Sequence, residues 1–463
     1  MLFNSIQFIL FFVVVTILYF DLPHRFRWLL LLIASCYFYM AFKPVYIAIL
    51  GFTIVVDYFA GILIEQSKGN RKRLFLIASL IANIGVLGTF KYWNFINQNI
   101  TDFLGLSGTE NLLPFLDILL PVGLSFHTFQ AMSYTIEVYR GHQKAERHFG
   151  IYSLYVMFYP QLVAGPIERP QNLLHQFREE HTWNVDRFRK GFSQMLWGFF
   201  KKVVIADRLS VFVNEVYGDW SHMSGANLWL AVVFFSFQIY CDFSGYSDIA
   251  IGSARIMGFD LMTNFNKPYF ARSVEEFWKR WHISLSTWFR DYLYIPLGGN
   301  RHGVLRRYIN LTIIFLVSGI WHGAGWNFML WGALHAAFVV IELVYRSRFG
   351  KARIPDFVKM VLTFFVVSIA WIFFRTPSTE QSFGIIQLLF GGADFGVISS
   401  SAMNSAEIIL SVLLILVLLI IEKMDLRLRL NSTWSFATMS SVVIFVIYLL
   451  GVFNQEQFIY FQF

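Results

Sequence analysis

Two stretches of this chain concentrate side chains able to do acid–base chemistry in apolar surroundings. The first runs Phe277-Trp278-Lys279-Arg280-Trp281-His282-Ile283-Ser284-Leu285-Ser286-Thr287-Trp288-Phe289-Arg290-Asp291-Tyr292 and closes on Pro296-Leu297-Gly298-Gly299-Asn300-Arg301. It is aromatic, basic and amphipathic, a pattern that suits a helix lying at a membrane interface. The second is Ser318-Gly319-Ile320-Trp321-His322-Gly323-Ala324-Gly325-Trp326, a histidine among glycines and tryptophans inside an otherwise apolar helix pair. Ionisable groups at membrane depth are expensive and functional by default. Imidazole is also the side chain whose ordinary pKa makes proton exchange practical near neutrality. Each histidine has a plainer reading as well. His322 could be a packing residue bonded to a backbone carbonyl, its glycines serving close helix approach. His282, beside Trp281, could anchor its helix at the headgroup level.

Other polar residues are weaker candidates. His127 and His335 fall on apolar helical faces and read as buried, satisfied histidines. Asp242 and Asp248, in Tyr240-Cys241-Asp242-Phe243-Ser244-Gly245-Tyr246-Ser247-Asp248, could form an acid pair or bind a metal. No histidine or third carboxylate stands at ligand spacing, so a structural polar network is the favoured reading and no metal is expected. Cys36 and Cys241 lie in apolar segments and make neither a disulfide framework nor a zinc motif.

The elements that must position these residues are membrane helices. Hydrophobic residues make up 56% of the chain and charged ones 14%, against about 25% charged in soluble domains. Apolar stretches long enough to cross a core of roughly 30 Å follow one another along the sequence. The first, after Met1 to Ser5, lacks a basic flank and a cleavage site, so it reads as a helix and not a signal peptide. The net charge of +8 reflects Lys and Arg retained on the cytoplasmic side, not a nucleic-acid partner. Lys68, Arg71, Lys72 and Arg73 therefore mark a cytoplasmic loop, while Asn94 to Asn111, without Lys or Arg, lies outside. Counting helices from there puts both termini outside. Between Ile151 and Lys202, Phe158-Tyr159-Pro160 and Gly165-Pro166 interrupt a short apolar run. A re-entrant or broken helix fits, and such backbone is tolerated only when buried in protein or lining a cavity. No repeat or soluble linker divides the chain, which reads as one membrane-embedded domain over residues 1–463 with an aromatic tail at 454–463.

The run from Glu276 through Arg301, with Trp321-His322-Gly323-Ala324-Gly325-Trp326 and Trp331-Gly332-Ala333-Leu334-His335, resembles the signature region of the membrane-bound O-acyltransferases. Further stretches resemble the alginate O-acetylation branch: Pro121 to Phe126, Tyr139-Arg140-Gly141, Tyr159 to Ile167, Phe200-Lys201-Lys202-Val203-Val204-Ile205-Ala206-Asp207, and Trp371-Ile372-Phe373-Phe374-Arg375. The resemblance implies an all-α polytopic fold, a ring of tilted and broken helices around a central tunnel. It implies that His322 is the catalytic histidine and that His282 stands at a second polar position, where many relatives carry Asn or Asp. It implies transfer of an acetyl group from a cytoplasmic donor, acetyl-CoA, across the bacterial inner membrane to an envelope polysaccharide. An extracytoplasmic partner of the SGNH-hydrolase type, with its own Ser-His-Asp triad, would complete the transfer, and no bound cofactor is expected.

The basic stretch suits such a transfer. Lys279, Arg280, Arg290, Arg301, Arg306 and Arg307 could hold the phosphates of coenzyme A, or simply mark the cytoplasmic face. His322 could take the acceptor hydroxyl's proton as it attacks the thioester, help worth about 10²–10⁴-fold. A long-chain lipid or protein acyltransferase of the same fold is the alternative, and a transporter a more distant one. The segment Phe458-Ile459-Tyr460-Phe461-Gln462-Phe463 could be an aromatic interface anchor. It also resembles the C-terminal motif of acylation systems in which a tyrosine accepts the acyl group, which makes Tyr460 a candidate acyl relay.

Overall fold

Long uninterrupted apolar runs leave the backbone no water to bond, so the chain satisfies its own N–H and C=O groups by forming helices. The computed structural model describes residues 1–118, 120–163, 165–350, 354–391, 395–424, 432–453 and 459. Over these residues the protein is 76% helical with no strand. Among the described residues, eight helical segments are long and apolar enough to cross a membrane. The chain is an all-α, multi-pass membrane protein.

The described residues divide into two compact units, one formed by residues 1–192 and 250–262 and the other by 193–249 and 263–463. The first contains α1 (Ile6–Asp21), α2 (His24–Met40), α3 (Tyr46–Gln66), α4 (Gly69–Leu87), α5 (Trp93–Gly105), α6 (Leu124–Arg140), α7 (Phe149–Met157), α8 (Tyr159–Leu162), α9 (Pro170–Leu173) and the first half of α10 (Val185–Phe199). A π-helical turn joins α4 to α5 into one helical segment, Gly69–Gly105, of 37 residues. At 1.5 Å per residue that is about 55 Å, well beyond the hydrocarbon core. The outer segment expected from Asn94 onward is therefore a helical extension as far as Gly105, not a loop.

The interrupted stretch after Phe149 is broken as its prolines require. From Ile151 to Val163 every residue is buried, and the freed backbone groups are taken up by side chains. Tyr159 N–H donates to Ser35 Oγ at 3.0 Å. The carbonyl of Tyr155 accepts from Gln130 Nε2 at 2.5 Å and Gln161 Nε2 at 2.8 Å. His127 is buried in this unit, its Nε2 2.5 Å from Thr53 Oγ1.

The second unit holds α11 (Asp207–Gly218), most of α12 (Gly225–Ile256), α13 (Val274–Arg280), α14 (Ile283–Phe289), α15 (Gly303–His322), α16 (Trp326–Phe349), α17 (Asp356–Arg375), α18 (Thr379–Phe390), α19 (Ser405–Met424) and α20 (Thr433–Leu450). Serine caps start several of them: Ser273 Oγ accepts from Glu276 N–H at α13, and Ser432 Oγ from Ser435 N–H at α20. Helices α15 and α16 form a close antiparallel pair because glycine stands where they touch. A Cβ on Gly319 would lie 2.3 Å from the carbonyl oxygen of Phe328, and one on Gly332 2.3 Å from that of Phe315. Here the glycines do serve close approach, and in doing so they fix the position of His322 at the end of α15.

The Phe277–Tyr292 run corrects the single interfacial helix expected of it. Helix α13 stops at Arg280, α14 begins at Ile283, and a π-helical turn, Arg290–Tyr294, follows. The break falls at His282, whose φ of 43° and ψ of 55° put it in the left-handed region. Only one other non-glycine residue among those described, Lys267, has a positive φ.

Candidate active site

The break between α13 and α14 costs on the order of 1–3 kcal/mol, so local contacts must impose it. Asn264 supplies them. Its carbonyl oxygen accepts the Ile283 N–H at 2.8 Å, and its side-chain Oδ1 accepts from Ser284 N–H and Ser284 Oγ at 3.3 and 2.9 Å. The backbone donor identifies that side-chain atom as the oxygen. His282 Nδ1 lies 3.0 Å from the same Oδ1 and must therefore carry the proton that bonds to it. In the neutral ring this makes Nε2 the lone-pair nitrogen. Ser247 Oγ accepts from Asn264 Nδ2 at 3.1 Å and completes the support.

His282 is fully buried, with Phe243 edge-on at 4.7 Å between ring centroids. Trp281 is buried with it, so neither is a headgroup anchor. His282 lies outside the membrane-spanning helices, and burial pushes its imidazole down to about 3. A ring so reluctant to charge is suited to accepting a hydrogen bond at Nε2 more than to storing a proton. Asn and Asp are residues that tolerate the same left-handed conformation.

His322 ends α15 and is 4% exposed. Three aromatic rings enclose it: Trp321 at 4.8 Å, Trp331 at 5.0 Å and Phe374 at 5.2 Å between centroids. Trp321 is also 6.2 Å from His282, so one indole neighbours both histidines. A side chain on Gly323 would strike the Phe328 ring at 2.1 Å, which keeps this corner of the cage tight. Trp331 continues the aromatic layer to Trp371, stacked at 5.8 Å, and to His335 at 4.9 Å. His335 is buried and accepts the indole N–H of Trp278 at Nδ1, 3.3 Å away.

The basic residues proposed to hold a donor are not an open cationic patch. Lys279 pairs with Glu275, Arg280 with Glu276 and Arg290 with Asp291, each at 2.7 Å. Arg301 and Arg306 are exposed, and Arg307 is partly so. Carboxylates thus offset much of the positive charge that the sequence displays.

Asp242 and Asp248 belong to a buried network in the middle of α12. Lys202 Nζ reaches both Asp242 Oδ1 and Asp207 Oδ1 at 2.7 Å. Lys201 Nζ reaches Asp248 Oδ2 and Ser244 Oγ at 2.5 and 2.8 Å. Both lysines sit on a π-helical segment, Phe200–Ala206, a form that recurs at functional sites. Among the described residues no cluster of three or more His, Cys, Asp or Glu could hold a metal ion. The roles of Asn264, Lys202 and Asp207 were not read from the sequence. Two adjacent lysines in an apolar run were a visible signal, whereas Asn264 carries none. Tyr460 lies outside the described residues, but its neighbour Ile459 is described, 3% exposed, with its N–H donating to Asp242 Oδ2 at 2.8 Å.

The chain belongs to the MBOAT, membrane-bound O-acyltransferase family, whose model matches residues 148–379. It is 39% identical over 418 residues to the "Probable alginate O-acetylase AlgI" of Pseudomonas aeruginosa, covering 88% of this chain and 78% of that one. It is 36% identical over 390 residues to the peptidoglycan O-acetyltransferase of Helicobacter pylori, covering 78% and 73%. A teichoic acid D-alanyltransferase of Bacillus subtilis is 27% identical over 316 residues, covering 63% and 74%. The protein is therefore an acyltransferase, which removes the transporter reading.

Proposed function

We propose that this enzyme is a membrane O-acetyltransferase that takes an acetyl group from cytoplasmic acetyl-CoA and passes it outward for O-acetylation of an envelope polysaccharide. The observation that carries the reading is the pair of buried histidines around Trp321, in a chain similar along most of its length to two named O-acetylating relatives. His322 is assigned as general base. His282, kept neutral by burial and with its tautomer fixed by Asn264, is assigned to position the reacting groups through its acceptor Nε2.

The acceptor at this stage is the phenol of Tyr460. His322 removes the phenolic proton as the oxygen attacks the thioester carbonyl. The new C–O bond forms, the C–S bond breaks, and the proton passes to the departing thiolate. Acetyl-tyrosine then transfers its acetyl to the serine of an extracytoplasmic SGNH-hydrolase-type partner, and from there to a polysaccharide hydroxyl. Arg301 and Arg306, with Lys279, Arg280 and Arg290 where their carboxylate partners yield, are assigned to the donor's phosphates. Enclosure by aromatic rings matters because water admitted to the thioester would hydrolyse it.

Donor length separates this reading from a lipid or protein acyltransferase of the same family. Purified protein incubated with labelled acetyl-CoA or labelled long-chain acyl-CoA should release CoA from the acetyl donor at least about tenfold faster, a difference of about 1.4 kcal/mol in transition-state binding. Preference for the long chain would replace the acetyl assignment with a lipid one.

Orientation in the bacterial inner membrane, with both termini outside, is assigned from the basic loop at Lys68 to Arg73. Cysteines placed at Lys72 and Asn99, with Cys36 and Cys241 replaced by serine, should react with an impermeant thiol reagent from opposite faces. Lys72→Cys should be labelled only after the membrane is opened, and Asn99→Cys in intact cells with the outer membrane permeabilised. The reverse pattern would exchange the donor and acceptor faces.

A further inference from the structure

Trp331 and His335 stand four residues apart on α16, so helical spacing puts their rings on one face, a turn from each other. Trp371, on α17, packs against both. Its ring is stacked on Trp331 at 5.8 Å and lies 6.2 Å from His335, which is itself 4.9 Å from Trp331. Each of the three rings therefore touches the other two. All are buried, with exposures of 0% for Trp331 and His335 and 1% for Trp371.

Each ring also carries a polar hydrogen. Indole has one N–H and no acceptor. The Trp278 indole donates to His335 Nδ1 at 3.3 Å, so Nδ1 holds a lone pair and the neutral ring carries its proton on Nε2. Trp331 Nε1, Trp371 Nε1 and His335 Nε2 have no hydrogen-bond partner among the described residues. Buried donors are nearly always paired in folded proteins, because a donor left alone forfeits its hydration. Packing gives no reason to gather three of them on touching rings, since phenylalanine would line the same face without that cost.

The chemistry of a fitting ligand follows from the donors. It must offer lone pairs, which excludes a cation. It must also be uncharged at rest, because a permanent anion is costly against the negative faces of aromatic rings. A carbonyl oxygen meets both conditions and accepts two hydrogen bonds. Trp331 is 5.0 Å from His322, so a carbonyl bonded in this layer lies beside the candidate base.

We propose that the N–H groups of Trp331, Trp371 and His335 form the acyl-carbonyl site of this enzyme, which holds the thioester oxygen of the donor and stabilises the oxyanion that forms on it. This rests on the reading of His322 as base and of an acyl thioester as donor. When the attacking oxygen bonds to the carbonyl carbon, the C=O π pair moves onto the held oxygen. The donors stabilise that charge until the pair returns and the C–S bond breaks, its electrons leaving on sulfur. Trp278 is a positioning residue, since its N–H sets the tautomer that makes His335 Nε2 a donor.

The test compares two inert donor analogues as competitors of labelled acetyl-CoA on the purified protein. One is the ketone in which CH2 replaces the thioester sulfur of acetyl-CoA. The other is S-ethyl-CoA, which has the same chain without the oxygen. The ketone should bind about 2- to 12-fold more tightly, the net worth of one neutral hydrogen bond. Trp331→Phe and Trp371→Phe keep an aromatic ring and delete the N–H. Each should bring the two affinities together by weakening the ketone alone, whereas a merely structural defect would weaken both analogues alike. Each should also lower kcat by about 10²–10³-fold, as loss of an oxyanion donor does.

An unchanged affinity ratio in both variants would overturn the site and leave the indole N–H groups resting on ring faces. If neither variant folds, the wild-type ratio decides. A ketone that binds wild-type protein no better than S-ethyl-CoA would overturn the site as well, because a carbonyl stripped of water gains nothing without a new donor. Where neither analogue competes and a long-chain acyl-CoA proves to be the donor, the acetyl reading falls by itself. The same ratio, measured with long-chain ketone and thioether, then decides the carbonyl site.

Discussion

Cells carrying His322→Ala should make polymer with no detectable acetylation, while the variant protein still inserts and accumulates in the membrane. Loss of a general base lowers the chemical step by about 10²–10⁴-fold, enough to drop polymer acetylation below detection. The structural cost is smaller. His322 ends α15 instead of spanning its middle, and the cage of Trp321, Trp331 and Phe374 remains packed around the gap. A truncation of this kind falls in the usual range of about 0.5–3 kcal/mol. His282 gives the matching control. His282→Asn keeps a residue that tolerates the left-handed backbone at this position, so its loss of activity reports the imidazole and not the turn. It should impair transfer less completely than His322→Ala, because a ring kept neutral by burial is assigned to position the reacting groups and not to carry the proton. Normal polymer acetylation in His322→Ala cells would remove His322 from the chemistry.

Tyr460→Phe should be equally damaging, although it deletes a single oxygen and keeps the aromatic character of the segment. Transfer potential is the reason. A phenol with pKa near 10 is not far from a thiol near 8.5, so an acetyl-tyrosine keeps most of the reactivity of the thioester it came from. An ordinary serine ester formed at this point would discard much of it before a partner's serine could attack. Ile459, one position earlier in the chain, is buried with its N–H donating to Asp242 Oδ2. The measurement is label from acetyl-CoA retained on the purified chain, alongside polymer acetylation in cells. Both should vanish in Tyr460→Phe. If polymer is still acetylated normally, the segment is an anchor and the acyl group travels by another route.

The class of the protein was legible from composition and motif alone, for a physical reason. A bilayer admits few backbone solutions, so a chain this apolar with regularly spaced basic loops must be a helical multi-pass protein. Histidine is rare enough at that depth that His322, set among glycines and tryptophans, stood out from its residue context alone. The glycines pointed correctly to close packing. What they could not reveal is that Gly319 and Gly332, in bringing α15 against α16, also set the position of His322 at the end of α15.

Other features depended on contacts far apart in sequence. Periodicity made Phe277 to Tyr292 one amphipathic helix, but Asn264, a polar residue in an unremarkable linker, breaks it at His282 by bonding the turn from outside. Local pattern cannot report a bond supplied from 18 residues upstream. Charge counting marked Lys279, Arg280 and Arg290 as a basic stretch, and here the offset is local, since Glu275, Glu276 and Asp291 stand only four, four and one residues from their partners. Asp242 and Asp248 offered several meanings because a carboxylate's role depends on what faces it. The fold supplies Lys202 and Lys201 from a separate π-helical segment and Ile459 from more than two hundred residues away. Sequence determined which residue types would have to be buried in this membrane protein. Tertiary structure decided which partners would make that burial tolerable, because the energy of a buried charge lies in its neighbours.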